Sequence, residues 1–115
     1  MNNNINEKIN DLSMENIFFM LFIISALLDL TGNECLKETF LGKKTQEDAR
    51  NKFILASSLL VVVFAYFAYH NYQRLKEFDE NSAEYHYAYI RFIGSLLALI
   101  GEAMVLYYFV NTPRL

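Results

Sequence analysis

The chain has 115 residues, 54% of them hydrophobic, and a net charge of −3 at pH 7. This length allows one domain, and three long apolar runs place the chain in the membrane class rather than among water-soluble domains. The basic residues form no stripe, which argues against nucleic-acid binding, and a lone Cys35 excludes an internal disulfide.

The first apolar run predicts a membrane-spanning helix over about residues 14–31. Roughly 20 residues are needed to cross a hydrocarbon core of ~30 Å. Lys8 is the single basic residue before the run, so the positive flank of a signal peptide is missing and we expect the helix to be retained. Gly32 follows directly and predicts the end of this helix, because glycine tolerates the left-handed conformation of helix caps.

One short amphipathic helix is predicted on each side of this span. Ile5, Ile9 and Leu12 fall on one side of an N-terminal helix, which either lies at the membrane interface or prolongs the first span. In the first loop, residues 33–42 place Leu36 and Phe40 on a common side.

The second and third spans are predicted over residues 53–72 and 87–110. Thr45 with Asp48, and Asn81 with Glu84, have the spacing of helix N-caps, and Pro113 predicts the end of the last helix. Because backbone groups in lipid must be satisfied within the segment, each apolar run should be a helix. The predicted fold is therefore all-α, a single membrane domain over residues 1–115 with the second and third spans forming a helical hairpin.

The basic residues predict an orientation with the N-terminus outside and the C-terminus inside, because Lys and Arg concentrate on the cytoplasmic side. The inner side would carry Lys37, Lys43, Lys44, Arg50, Lys52 and Arg114. The outer side would carry Lys8, Arg74 and Lys76, with Arg91 near that boundary.

The third span carries a predicted helix-packing face. Gly94, Ala98 and Gly101 share an arc of about 100° with Glu102 at ~100° per residue. Small residues let a second helix approach closely, so this face predicts association with another transmembrane helix.

Glu102 is the most informative side chain, because an ionised carboxylate inside a bilayer must be paired, neutral or facing water. It either forms part of a proton or cation site or serves as a hydrogen-bonding group that holds an assembly together. The predicted topology brings polar residues of all three spans to the same half of the membrane, which predicts an intramembrane polar cluster of Glu102, Asp29, Ser25, Ser57 and Ser58. Asp29 fits equally well as an interfacial residue where the first helix leaves the lipid.

Three further residues are expected at the outer interface. Arg91 should extend to the headgroups, since a separation of about 16 Å prevents it from pairing with Glu102 in the same helix. His70 and His86 lie on the two arms of the hairpin, where interfacial packing is the better interpretation. A metal site is not expected there, because two histidines with Glu84 lack a further defined ligand.

No phosphate-binding loop, nucleophile elbow or Ser/His/Asp arrangement is present in the sequence, so neither an enzyme nor a cofactor is expected. The first functional hypothesis is an assembly or accessory subunit of a larger membrane complex, with lipid and other transmembrane helices as its partners. The second is a self-assembling pore or proton-conducting oligomer with Glu102 in the pathway. Three short spans with the N-terminus outside resemble in outline the phage holins with three membrane spans, although residues 111–115 lack the basic tail common in that class. A proton-coupled homodimeric carrier and an immunity-type protein are also compatible with these features.

Overall fold

The computed structural model describes residues 2–115, with side chains from Asn4 onward, and over this range it is all-helical. Helix α1 spans Asn2–Phe40, α2 spans Gln46–Leu75 and α3 spans Ala83–Asn111. Each of the three is long and apolar enough to cross a membrane. The expectation of an all-α chain built on three long apolar helices is therefore confirmed.

Helix α2 is the central element. It packs against both α1 and α3, and within the described residues the two outer helices make no close backbone approach to each other. The molecule measures 61 × 27 × 16 Å. A thickness of this order corresponds to little more than one helix with its side chains, about 10–12 Å across. Helix α2 therefore lies between α1 and α3.

Helix α1 differs from the sequence prediction, because it continues without interruption from Asn2 to Phe40. The predicted helix end at Gly32 is wrong, and residues 33–40 continue α1 instead of forming the separate short helix predicted in the first loop. Gly32 is buried within the helix, and a Cβ atom added there would lie 2.7 Å from Cε1 of Phe53 on α2. This glycine makes room for an aromatic ring, and Gly42, with φ of 77°, adopts the left-handed conformation in the loop that follows.

The ends of α2 and α3 show which predicted caps form. Thr45 occupies the N-cap position of α2, but its side chain accepts no capping hydrogen bond from the backbone, and its hydroxyl donates instead to the Asp48 carboxylate over 3.2 Å. The cap predicted at Asn81 is wrong by one residue, because Ser82 occupies the N-cap of α3 and its hydroxyl accepts a hydrogen bond from the Tyr85 amide over 3.1 Å. Helix α3 ends at Asn111, two residues before Pro113, as predicted.

Candidate functional site: the acidic cluster and the open face of α3

Contacts between α1 and α2 fix the register of the first two helices. The Ser25 hydroxyl is fully buried and donates a hydrogen bond of 2.8 Å to the carbonyl oxygen of Ala56. Toward the other end, the rings of Phe18 and Tyr66 stack with their centroids 3.9 Å apart. Lower residue numbers on α1 therefore pair with higher residue numbers on α2, so the two helices are antiparallel.

Glu102 lies on the side of α3 that faces α2. Its carboxyl group lies near the Ser57 hydroxyl, without forming a hydrogen bond to it, and the carboxyl group of Asp29 is near enough to interact with it electrostatically. Ser57 is buried, whereas both acids are partly buried. We call Asp29, Ser57 and Glu102 the acidic cluster. It combines one residue from each helix, with the central α2 lying between the two helices that carry the acids.

The two other serines predicted for this cluster have different partners. Ser25 bonds to the Ala56 carbonyl, as described above, and Ser58 donates to the Ile54 carbonyl one turn earlier in its own helix over 2.7 Å. The structure thus brings together three of the five residues predicted to cluster.

The predicted helix-packing face of α3 is open within this chain. Atoms of other residues are absent within 4 Å of a Cβ built at Gly94 or Gly101, as far as residues 2–115 show. Ala98 between them is half-buried, and α3 has no buried residue along its length. Helix α2 instead contacts the neighbouring side of α3, so Glu102 lies at the border between the occupied side and the open one.

The interfacial residues lie in separate surroundings. His70 faces α1, where its Nε2 atom lies 3.6 Å from the carboxylate of Glu15 and its ring stacks on Tyr66. His86 and Arg91 are exposed on α3. Within the described part of the chain no group of His, Cys, Asp or Glu residues is arranged to hold a metal ion. The two histidines therefore have different neighbours rather than a shared one.

Arg50 was not singled out by sequence reasoning, yet it joins α2 to the end of α3. Its Nη1 atom donates to the carbonyl oxygen of Phe109 over 2.7 Å, and Gln46 donates to the carbonyl oxygen of Pro113 over 3.2 Å. The ring of Phe109 stacks on Phe53 with centroids 4.9 Å apart. A single cation in the basic first loop gave no indication of this role, because the contact joins residues 59 positions apart.

Asn71 is a second residue that the sequence did not indicate. Its side chain is 5% exposed, and within the described residues its Oδ1 atom has no hydrogen-bond partner. It lies in the last turns of α2, beyond the most apolar part of that helix.

Searches against protein-family models, curated proteins and solved structures gave no significant match.

Proposed function

We propose that this chain is an integral membrane protein in which α1, α2 and α3 each cross the bilayer, and α2 and α3 form a helical hairpin. The support is the length and apolarity of all three helices, together with extensive exposure of large apolar side chains. Such surface is unfavourable in water and is matched by lipid chains. The N-terminus is proposed to lie outside and the C-terminus inside, following the distribution of Lys and Arg.

The N-terminal part of α1 is proposed to extend beyond the bilayer. A helix of 39 residues is about 58 Å long at ~1.5 Å per residue, nearly twice the thickness of the hydrocarbon core. Ile5, Ile9 and Leu12 are all exposed in this part. They fit an amphipathic segment resting at the outer interface or a continuation of the span.

We further propose that the protein acts as an assembly or accessory subunit of a membrane complex. The observation that carries this proposal is the open space at Gly94 and Gly101 on a helix without a buried residue. Transmembrane helices associate through close backbone approach at small residues, and this chain leaves such a face vacant. The other helix belongs either to a second copy or to a different membrane protein.

The test is the mass of the particle extracted in mild detergent, compared between the native chain and Gly94→Leu with Gly101→Leu. The expected result is a particle larger than one chain, which the two leucines reduce to the monomer. Ala103→Leu is the matched control, because Ala103 is exposed on the opposite side of α3. A native chain that runs as a lone monomer would contradict the proposal.

The acidic cluster supports a second candidate function, a small ion- or proton-conducting oligomer. Two carboxyl groups and a hydroxyl from three helices meet inside apolar segments, where an ionised carboxylate costs several kcal/mol unless it is compensated. Carboxyl groups held in this way are found in proton relays. Conduction additionally requires several copies of the chain around a shared pathway.

Proton flux into liposomes that contain the purified protein tests this candidate. Glu102→Gln keeps the size of the side chain but removes its titratable proton, so the flux should be lost. Glu84→Gln, in the exposed first turn of α3, should leave the flux unchanged. Liposomes that hold folded protein and remain impermeable would leave the subunit hypothesis as the better one.

A further inference from the structure

A groove lies between α1 and α2 at the end where the first loop joins them. It is an open depression of about 470 Å³, and its lining changes in character along its length. Lys44, Asp48 and Lys52 line the end near the loop, and Leu28 and Leu55 line the end that points into the apolar segments. The groove is therefore polar at one end and apolar at the other.

The spacing of these residues shows that the groove follows the helices. Asp48, Lys52 and Leu55 lie three to four residues apart and share one side of α2. On α1, Leu28 and Cys35 are two turns apart on one side. The polar and apolar ends of the groove are seven residues apart on each helix, which corresponds to about 10 Å. This length is of the order of the distance between a phospholipid headgroup and the start of its acyl chains.

The charges in the groove are partly unmatched. The ammonium group of Lys44 pairs with Glu38 over 3.2 Å. Lys52 forms no ion pair within residues 2–115, and over the same range Asp48 has a contact with the Thr45 hydroxyl but with no basic group. Lys52 and Asp48 thus each lack a close ion-pair partner, and Asp48 acts on the Lys44 ammonium only at longer range.

We propose that this groove binds the headgroup of phosphatidylethanolamine from the leaflet that faces the first loop. The lipid phosphate accepts hydrogen bonds from Lys52 and Lys44, and the primary ammonium group donates to Asp48. The start of an acyl chain lies against Leu28 and Leu55. This proposal rests on the proposed membrane insertion of the three helices.

Charge complementarity favours the phosphatidylethanolamine headgroup over those of phosphatidylcholine and phosphatidylglycerol. Phosphatidylcholine also carries a phosphate, but its quaternary ammonium has no N–H to donate to Asp48. Phosphatidylglycerol offers an anion to Lys52 and leaves Asp48 without a cation. Because the groove presents both signs, a headgroup with a phosphate and a primary ammonium satisfies both groups.

The test is native mass spectrometry of the protein released from nanodiscs made of the three phospholipids in equal amounts with identical acyl chains. We expect phosphatidylethanolamine to be retained about fivefold more than either competitor, the ratio that corresponds to one partly exposed charge pair. Lys52→Gln should lower the retention of every phosphate headgroup. Asp48→Asn should remove the preference over phosphatidylcholine and leave the binding of phosphatidylglycerol intact.

Lys37→Gln is the matched control, because Lys37 is an exposed lysine outside the groove that already pairs with Glu34. Equal retention of the three lipids, a preference for phosphatidylglycerol, or unchanged selectivity in Asp48→Asn would each overturn the proposal. A failure of membrane insertion would be seen separately, as protein absent from the nanodisc fraction. Helical circular dichroism of each variant confirms that the fold is intact.

Discussion

The guanidinium group of Arg50 holds the carbonyl oxygen of Phe109 at 2.7 Å, and so connects the start of α2 to the last turn of α3. The same side chain is 11% exposed and also contacts Glu47 at 3.2 Å. The Arg50 cation supplies a hydrogen-bond donor to a carbonyl oxygen in the last turn of α3, which has no partner within the helix. Its positive charge also interacts favourably with the negative, C-terminal end of the helix dipole.

We expect Arg50→Gln to destabilise the protein by about 1.5–3 kcal/mol, the range for losing a hydrogen bond to a charged group. Unfolding in detergent, followed by circular dichroism, measures the change. The last turn of α3 should also exchange its amide hydrogens faster. Lys37→Gln provides the comparison, since its ion pair with Glu34 is 71% and 69% exposed and should contribute less than about 1 kcal/mol. Equal effects of the two substitutions would contradict the assigned role of Arg50.

Gly32 and Gly101 provide a matched pair, because both are helical glycines but only one is packed. Gly32→Ala places a methyl group 2.7 Å from the Phe53 ring, so it should cost about 1–3 kcal/mol through overpacking. Gly101→Ala meets open space and should stabilise the single chain by up to about 1 kcal/mol, since alanine is the better helix former. Thermal unfolding of the two variants measures the difference, and a neutral Gly32→Ala would show that Phe53 moves aside.

Substitutions of Ser25 and Ser58 compare the stability contributed by a hydrogen bond between two helices with that of a hydrogen bond within one helix. Ser25→Ala removes the buried bond to the Ala56 carbonyl and should cost about 0.5–1.5 kcal/mol. Ser58→Ala removes a bond to its own helix and should change stability by about a few tenths of a kcal/mol at most. Unfolding of the single variants and of the double variant measures both effects. A larger effect at Ser58 than at Ser25 would be the opposite of this expectation.

The first loop should respond to alkaline pH through Lys44. The hydrogen bond from Lys44 to Glu38 raises the pKa of the lysine above its ordinary value of 10.5, and the nearby Cys35 and Asp48 act in the same direction. The folded form therefore holds the proton more tightly than the unfolded form, so the contact is fully present below pH 10.5 and is lost as the pH rises through the raised pKa.

Nuclear magnetic resonance of the Lys44 side chain in micelles follows this titration directly. Glu38→Gln removes the main cause, and the pKa of Lys44 should move back toward its ordinary value. An identical titration curve in Glu38→Gln would show that the carboxylate is not responsible.

The sequence predicted the three long helices because that prediction depends on composition and on segment length. It failed at Gly32, where local rules indicate a helix end. The glycine is required instead by the Phe53 ring on another helix, and no local pattern shows which distant side chain will approach. The same limit explains Ser82, which caps α3 in place of its neighbour Asn81.

For the candidate site, the sequence identified Glu102 and Asp29 because charged residues stand out in apolar runs. It did not resolve which serine would lie near Glu102, since Ser57 and Ser58 differ by about 100° around α2 and only packing selects between them. Glu15 was not expected near His70, because that pair depends on the register of α1 against α2. Whether the acidic cluster and the open face act in function stays a prediction.

The central position of α2 determines how a local disturbance spreads through the molecule. Ser57 lies near Glu102 of α3, whereas the neighbouring Ala56 accepts the hydrogen bond from Ser25 of α1, so adjacent residues of α2 contact different helices. Over residues 2–115 the outer helices make no close backbone approach to each other, and the electrostatic interaction between Asp29 and Glu102 links them through side chains. A bulky substitution on one side of α2 should consequently disturb the packing of the helix on that side more than the packing of the other helix.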